Sequence, residues 1–382
     1  SAVDASGTEH AEGAFYLWSA DELQTVLGSD FGLIVAHFGV LDAGNVPAED
    51  DPHGEFSGKN ILAQRQPLSA TARGLGLTPD EANEKLLAAL ARLREVRSRR
   101  PRPHLDDKIL TAWNGLMISA LARGAQVLGD DALLAAAVRA ADFLQRELFD
   151  EKSGVLFRAW CGGRGATGGF AEDHAFLVQG LLDLYEASFD VRWLQWAEQL
   201  QEKMDGLFFD TARGGYFNSR ADDANLVLRL REDYDGAEPA PSSVAALNLL
   251  RLAAMLHREE FRERGVRTLE AFRAQWLGAS PALPQMLCAL ELALQPPPQV
   301  VLAGDPRAGD FRALAAVLHE RPGPRRVLLG VDGGRGQKWL AERAPGLAAM
   351  RTAGGRTMAY VCENFACRQP VGDVAALRKL LG

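Results

Sequence analysis

The sequence predicts a mainly α-helical toroid of repeated helical hairpins, followed by a small α/β unit at the C-terminus. The first observation is an internal repeat of 60 residues, and the second is the alternation, within each repeat, of an apolar helix with an amphipathic helix. The third is a change of pattern near Gln295–Pro298, where short apolar strands begin to alternate with helices. We therefore expect the toroid in residues 1–295 and the α/β unit in residues 296–382.

The repeat appears when Trp113–Met117 is aligned with Asp173–Leu177, which lies 60 residues later. A third copy begins at Ser242. Self-similarity at a fixed period indicates units that bury a common core only when they stack. The same offset relates three further pairs: Gly129-Asp130 with Phe189-Asp190, Phe149-Asp150 with Phe209-Asp210, and Gly154 with Gly214. A solenoid of the tetratricopeptide type is the alternative, but a 60-residue unit is long for that class.

Each repeat predicts an inner and an outer helix. The first helix is apolar on more than one face and is expected to be buried on both sides. The second, Leu133–Leu148 or Trp193–Leu207, is amphipathic and is expected to face solvent. A hairpin around a glycine turn follows, at 149–157 and 209–217. Repeated inner and outer helices close into a toroid, with the loops at one end forming a crater.

The first hundred residues predict two capped helices separated by a long loop. Ser19 is a candidate N-cap with Glu22 as its capping-box partner. Thr78 caps a second helix with Pro79 at its first position, and this helix is expected to continue to about residue 100. Between them, Leu41–Asn60 is rich in Gly, Asp, Asn and Pro, which is typical of a loop.

Beyond residue 298 the alternation of strands and helices predicts a small, mostly parallel sheet. The expected strands are Val300–Gly304, Val327–Val331 and Met358–Cys362, and the expected helices are Asp310–Glu320 and Val374–Leu381.

Charge and composition exclude several classes of protein. A net charge of −8 argues against non-specific nucleic-acid binding, which requires clustered Lys and Arg. No apolar run reaches the roughly 18 residues of a membrane helix, and we recognise no signal peptide. Four cysteines are too few for a disulfide scaffold, so a cytoplasmic location is expected. The spacing of Cys362 and Cys367 fits neither a C-x-x-C redox motif nor a complete zinc site, and we expect no metal and no cofactor.

Acidic residues gather at the starts of three expected inner helices, which would face the crater at neighbouring corners. These starts are Asp106-Asp107, Glu172-Asp173-His174 and Glu232–Glu238. Carboxylates bind sugar hydroxyls and aromatic planes pack on sugar faces, while a carboxylate pair is the minimum for cleaving a glycosidic bond. Acids at helix starts are equally expected from capping and the helix dipole, so each acid has a purely structural alternative.

The candidate site follows from these positions. The candidate catalytic residues are the acids Asp107, Asp173 and Asp235 and the possible base His174. The candidate substrate-binding residues are Trp113, Asn114, Glu172, Tyr234 and Glu238.

Several long motifs also resemble a known family. They are Glu12–Trp18, Leu105–Met117, Gly169–Leu177, Asp233–Pro239 and Tyr360–Cys367. They resemble the YyaL-type thioredoxin-domain-containing proteins. The resemblance implies a six-hairpin glycosidase-like (α/α)6 toroid, related in fold to N-acylglucosamine 2-epimerases. It also implies that the thioredoxin-like domain of the family, and the toroid helices before the first motif, are absent from this chain.

The resemblance implies a sugar-like ligand but leaves the reaction open between glycoside hydrolysis and sugar epimerisation. Carboxylates would serve the first reaction and a histidine base the second. The rival hypothesis is a non-catalytic scaffold that serves the thioredoxin-like domain, with the acids acting as helix caps. The direction in which the acidic side chains point discriminates between the two hypotheses. Side chains that converge on one concave site favour sugar chemistry, and side chains that contact helix N-termini favour the scaffold.

Overall fold

The computed structural model describes residues 2–3, 10–11, 13–103, 105–223, 226–320, 326–363 and 366–381. Three positions of the family motifs, Glu12, Asn364 and Phe365, lie outside these described residues. The chain divides into two compact units, Ser1–Asp107 and Lys108–Gly382. The expected boundary between residues 295 and 296 stays a prediction.

The first unit contains four helices among its described residues, α1 to α4, and a short antiparallel pair, β1 and β2. The helices are α1 (Ala20–Leu27), α2 (Phe31–Phe38), α3 (Leu68–Gly74) and α4 (Pro79–Ser98), and the strands are β1 (Ala2–Val3) and β2 (His10–Ala11).

Capping side chains lie at the two helix starts predicted from the sequence, Ser19 and Thr78. The Thr78 hydroxyl accepts from the backbone N–H of Glu81, while the Glu81 carboxylate accepts from the backbone N–H of Thr78, which completes a capping box. At α1 only half of the predicted capping box forms. The Ser19 hydroxyl accepts from the backbone N–H of Glu22 at 3.2 Å, but the Glu22 carboxylate pairs with Arg100 at 2.6 Å. The loop after α2 is held by the fully buried Asn60, whose amide bonds both the N–H and the carbonyl of Leu41.

The second unit contains helical hairpins followed by a sheet. Its helices are α5 (Thr111–Leu128), α6 (Asp131–Leu148), α7 (Ala171–Ser188), α8 (Val191–Phe208), α9 (Pro241–Leu256), α10 (Glu259–Ala271), α11 (Arg273–Gly278), α12 (Pro284–Leu294), α13 (Gly309–His319), α14 (Arg335–Arg343) and α15 (Val374–Leu381). Its strands are β3 (Ile109–Leu110), β4 (Phe149–Asp150), β5 (Val155–Leu156), β6 (Ala159–Trp160), β7 (Gln299–Ala303), β8 (Val327–Val331), β9 (Met358–Glu363) and β10 (Ala366–Cys367).

The repeat of 60 residues is confirmed by the helix bounds. Helices α5 and α7 begin and end 60 residues apart, and so do α6 and α8. The glycine turns at 149–157 and 209–217 are also present, with Gly154 and Gly214 both at positive φ. The third hairpin, α9 and α10, follows a longer connection. The predicted mainly α class, built from α/α hairpins, is therefore confirmed.

The inner helices α5 and α7 approach to backbone contact because each has a glycine at the crossing. A Cβ on Gly115 would lie 2.5 Å from the backbone of Phe176, and a Cβ on Gly180 would lie 2.4 Å from the carbonyl oxygen of Gly115. This close approach brings the N-termini of the two helices side by side, where the candidate site lies.

The inner helices differ in burial. Helix α7 is buried almost all round, as predicted. The prediction is wrong for one face of α5, where Trp113, Met117 and Leu128 are exposed. An apolar pattern reports what a helix can bury, and neighbouring elements decide what it does bury.

The C-terminal sheet has the strand order β10-β9-β7-β8. Among the described strands of this sheet, only β7 and β8 are parallel, whereas β9 pairs antiparallel with both β7 and β10. The prediction of a mostly parallel sheet is therefore wrong. Helix α13 makes a crossover from β7 to β8, which parallel strands require, but the chain from β8 returns to the far side of β7 in the opposite direction.

Both faces of this sheet are covered, which explains why its strands are continuous apolar runs. Val301 and Leu329 point to the core that contains α7 to α9, while Val300 and Leu328 point to the core that contains α13 and α15. Among the described residues, the helices are all too short or too polar to cross a bilayer.

Candidate acidic–aromatic site

The N-termini of α5 and α7 and the segment that leads into α9 meet in the second unit. The backbone N–H of Ala171 donates to the carbonyl of Asn218, and the N–H of Asn218 donates to the carbonyl of Leu230. The Asn218 side-chain oxygen also accepts from the N–H of Glu232 at 3.1 Å. Asn218 thereby fixes the Glu232 segment beside the start of α7, so the sequence motifs of the second and third inner helices converge.

Asp173 caps two helices. Its side chain is 1% exposed and accepts from the backbone N–H of Phe170 at 2.8 Å and from that of Ala112 at 3.0 Å. The Arg158 guanidinium lies 3.2 Å away. Burial outweighs these contacts and raises the pKa of the Asp173 carboxyl to about 6. Its contacts are those of a cap, and its predicted catalytic role stays a prediction.

His174 is enclosed in the core. The residue is 1% exposed, and its ring lies against that of Phe208, with 5.3 Å between the centroids. Nδ1 lies 2.9 Å from the carbonyl oxygen of Phe170, which can only accept, so Nδ1 carries the proton. Nε2 is buried and has no hydrogen-bond partner among the described residues. Burial lowers the pKa of His174 to about 4, so the imidazole is neutral at pH 7.

Asp235 is buried and also contacts helix N-termini. Its two carboxylate oxygens accept from the N–H of Ala240, at the start of α9, and from the N–H of Gln285, in the first turn of α12. Two of the three predicted acids therefore have the capping geometry that the scaffold hypothesis expects.

Four of the other predicted residues of this unit form an open surface together with Glu232. This surface, the acidic–aromatic rim, consists of Trp113, Glu172, Glu232, Tyr234 and Glu238. Trp113 and Tyr234 are 57% and 59% exposed, so both rings are available to a ligand. The Trp113 indole Nε1 donates to the Glu238 carboxylate at 2.7 Å, which joins α5 to the segment before α9.

Glu232 is the carboxyl at which the charges of the rim converge. Although the residue as a whole is exposed, partial burial of the carboxyl raises its pKa, and repulsion from Glu172 and Glu238 raises it further. Glu232 lies in the third acidic segment of the sequence but was not among the predicted site residues. Its importance depends on the other glutamates, which only the folded chain brings near.

Glu172 is the rim carboxylate with a cation beside it. Arg158 Nη1 lies 2.6 Å from the Glu172 carboxylate and also contacts Asp173. The Arg158 guanidinium lies over the Phe170 ring, 4.8 Å from its centroid. Sequence reasoning missed Arg158, because it lies in the connection between repeats and carries no motif.

Two further predicted residues, Asn114 and Asp107, are not among the rim residues. Asn114 donates from its side-chain amide to the carbonyl of Leu110 at 2.8 Å, within the start of its own helix. Asp107 is an exposed residue at the end of the first unit, and its catalytic role stays a prediction.

A groove of about 420 Å³ in the second unit lies at the opposite ends of α5 and α7, near Gly129, Phe189 and His319. It contains none of the predicted site residues. Among the described residues, no group of three or more His, Cys, Asp or Glu side chains could hold a metal ion.

Solved structures with partial similarity include two sugar-processing proteins. The cellobiose 2-epimerase of Bacillus thermoamylovorans has a TM-score of 0.38 and 17% identity, over 45% of this chain and 46% of that chain. An α-mannanase of Bacteroides thetaiotaomicron has a TM-score of 0.34 and 13% identity, over 54% of this chain and 53% of that chain.

No protein-family model matches the sequence. Spermatogenesis-associated protein 20 of Homo sapiens is 41% identical over 394 residues, which cover 98% of this chain and 50% of that protein. An uncharacterized protein of Caenorhabditis elegans is 31% identical over 390 residues, which cover 98% of this chain and 52% of that protein. The chain thus spans about half the length of the curated relatives it matches. With 41% identity along nearly its whole length, the chain belongs to the family of spermatogenesis-associated protein 20.

Proposed function

We propose that the second unit binds a carbohydrate at the acidic–aromatic rim and hydrolyses a glycosidic bond there. The observation that carries this proposal is the convergence of two glutamates, Glu172 and Glu238, on Glu232 beside two exposed aromatic rings. Exposed aromatic rings supply a plane for the apolar face of a sugar, and carboxylates accept from its hydroxyl groups. The hydrogen bond between Trp113 and Glu238 fixes one ring and one carboxylate in advance, which lowers the entropic cost of binding.

The proposed reaction follows from the different surroundings of the carboxyl groups. Hydrolysis requires one protonated acid, which protonates the leaving oxygen, and one carboxylate that stays ionised. Glu232 is the acid, because its raised pKa keeps a larger protonated fraction than an isolated glutamate has. Glu172, in contact with the Arg158 guanidinium, is the second carboxylate.

Epimerisation has less support from the same site. It would require a base that removes a proton from a sugar carbon, and His174 is the histidine the sequence offers there. Its ring is enclosed, and Nδ1 already donates to a backbone carbonyl. We therefore prefer hydrolysis to epimerisation.

The test is an NMR time course of the chain with a panel of neutral oligosaccharides, combined with calorimetric binding measurements. We expect Trp113→Ala to weaken binding at least about tenfold, which corresponds to about 1.4 kcal/mol. We expect Glu232→Gln to abolish new anomeric signals while the sugar still binds. The control is Glu270→Gln, which changes an exposed glutamate on the outer helix α10 and should alter neither property.

Two outcomes would contradict the proposal. Absence of binding to every oligosaccharide by the folded chain would remove the rim as a sugar site. Turnover that persists in Glu232→Gln but disappears in His174→Gln would replace hydrolysis with a reaction at the enclosed histidine.

The second candidate is a non-catalytic scaffold that holds partners for a thioredoxin-like domain of the same parent protein. The capping contacts of Asp173 and Asp235 favour it, because they assign both acids a structural task. Sugar binding without turnover, in this chain and in a full-length relative, would favour the scaffold over the enzyme.

A further inference from the structure

The C-terminal sheet ends in a disulfide that the sequence analysis did not predict. Cys362 in β9 and Cys367 in β10, whose spacing fits neither a C-x-x-C motif nor a zinc site, are joined in the structure. The two residues are directly opposite each other in an antiparallel pair. Strand β10 is the edge of the sheet, so the disulfide lies at the border of the fold and not within its core.

The two sulfur-bearing residues have different surroundings. Cys362 is 7% exposed and packs into the core that also contains the inner helices. Cys367 is exposed, as is its strand neighbour Ala366. An external thiolate can therefore reach this bond from the Cys367 side.

A charged residue follows each cysteine of this pair in the sequence. Arg368 follows Cys367 directly and lies 3.3 Å from the Glu363 carboxylate, which follows Cys362 in β9. The Arg368 backbone N–H also donates to the carbonyl of Val361, which holds the return strand in place. The ion pair and this backbone contact hold the chain around Cys367 beside β9.

We propose that Cys362–Cys367 is a thiol–disulfide exchange site that accepts electrons from an external dithiol at the Sγ atom of Cys367. The thiolate of the dithiol attacks that atom, a mixed disulfide forms, and Cys362 leaves as a thiolate that takes up a proton. The second thiol of the reductant then attacks its own sulfur in the mixed disulfide, releases Cys367 and closes the disulfide of the oxidised reductant. The protein disulfide gains two electrons and two protons, and the dithiol loses them. Exposed disulfides are the class with the higher, more easily reduced potentials.

Reduction should leave the fold intact. Strand β9 keeps its pairing with β7 over five residue pairs, from Met358 to Cys362, which does not depend on the disulfide. The covalent link joins only the two-residue strand β10 to the rest of the sheet. The site can therefore cycle between its two states without global unfolding.

The first experiment measures reduction by dithiothreitol without denaturant. The chain is purified without reductant, incubated with dithiothreitol and labelled with N-ethylmaleimide, and the labelled cysteines are identified by mass spectrometry. The background carries Cys161→Ser and Cys288→Ser, because both residues are exposed and lie outside the disulfide. We expect both Cys362 and Cys367 to become labelled while the far-ultraviolet circular dichroism stays unchanged. A bond that is reduced only in denaturant, or cysteines already reduced after purification in air, would overturn the proposal.

The second experiment tests the direction of attack in the same background. Each remaining single-cysteine variant is treated with oxidised glutathione. We expect Cys362→Ala, which retains Cys367, to form the glutathione adduct at least about tenfold faster than Cys367→Ala, which retains the buried Cys362. Equal rates, or a faster adduct at Cys362, would contradict attack at Cys367.

Discussion

The first and second hairpins of the repeat have helices of the same lengths, with bounds 60 residues apart. Residues at equivalent positions of their inner helices nevertheless have different roles. Trp113 and Asp173 occupy the same position 60 residues apart. Trp113 is 57% exposed at the rim, whereas Asp173 is buried and caps both helices. A repeat thus fixes where a residue lies on its helix, while the neighbouring copy decides whether that position faces solvent or the core.

At the next position of the two inner helices, different residues make the same contact. Asn114 and His174 are also equivalent, and each side chain contacts the backbone carbonyl four residues earlier, Leu110 and Phe170 respectively. Two chemically different residues therefore make the same local contact. His174 resembles a catalytic base in the sequence, but this shared geometry indicates a structural role in the start of the helix.

We expect the largest effect from a variant that breaks the contact between the two inner helices. Gly115→Val places a side chain against the α7 backbone, because a Cβ already lies 2.5 Å from it. We expect a loss of at least about 3 kcal/mol in the free energy of unfolding, measured by urea denaturation. The control is Gly206→Ala in the outer helix α8, where a Cβ meets nothing within 4 Å. This control should be neutral or should stabilise by up to about 1 kcal/mol, and a Gly115→Val chain as stable as the control would refute the close approach.

A pH series sharpens the comparison at the second hairpin. The pKa of Asp173 is raised in the folded chain. Its contribution to the free energy of unfolding is therefore present below pH 4 and is lost as the pH rises through about 6. The pKa of His174 is lowered in the folded chain. Its contribution to the free energy of unfolding is therefore present above pH 6.5 and is lost as the pH falls toward about 4. Each shift corresponds to roughly 3 kcal/mol, and the two trends oppose each other.

Single variants separate the two trends. In His174→Asn, which carries the residue of the equivalent position 114, the free energy of unfolding should fall as the pH rises from 4 to 6. In Asp173→Asn it should fall as the pH drops from 6.5 to 4. Urea denaturation at several pH values measures both, and slopes of the same sign in the two variants would contradict the assignment.

The smallest expected effect is at Trp113. Because the ring is exposed, Trp113→Ala should change the free energy of unfolding by less than about 0.5 kcal/mol. The equivalent variant Asp173→Ala should cost about 2 kcal/mol, because two helix N–H groups lose their acceptor. Thermal unfolding of the two variants side by side measures this difference, and similar losses would show that Trp113 is part of the core.

Local patterns predicted the helices well because local physics forms them. The capping box at Thr78, the glycine turns after α6 and α8 and the period of 60 residues are all readable from residues close in sequence. The sheet direction was mispredicted because strands of either direction carry the same apolar runs when both faces are buried. Glu232 and Arg158 were missed because their significance depends on partners from other segments.

The sequence by itself determined the mainly α class, the repeated inner and outer helices and the family, because periodicity, capping and long motifs lie along the chain. Only the tertiary structure decided which acids became caps and which formed the rim. Asp173 and Asp235 found backbone N–H groups of neighbouring helices, while Glu172, Glu232 and Glu238 converged on one surface. The physical reason is that a carboxylate takes its role from the donors and charges within a few ångströms, and folding alone sets those neighbours.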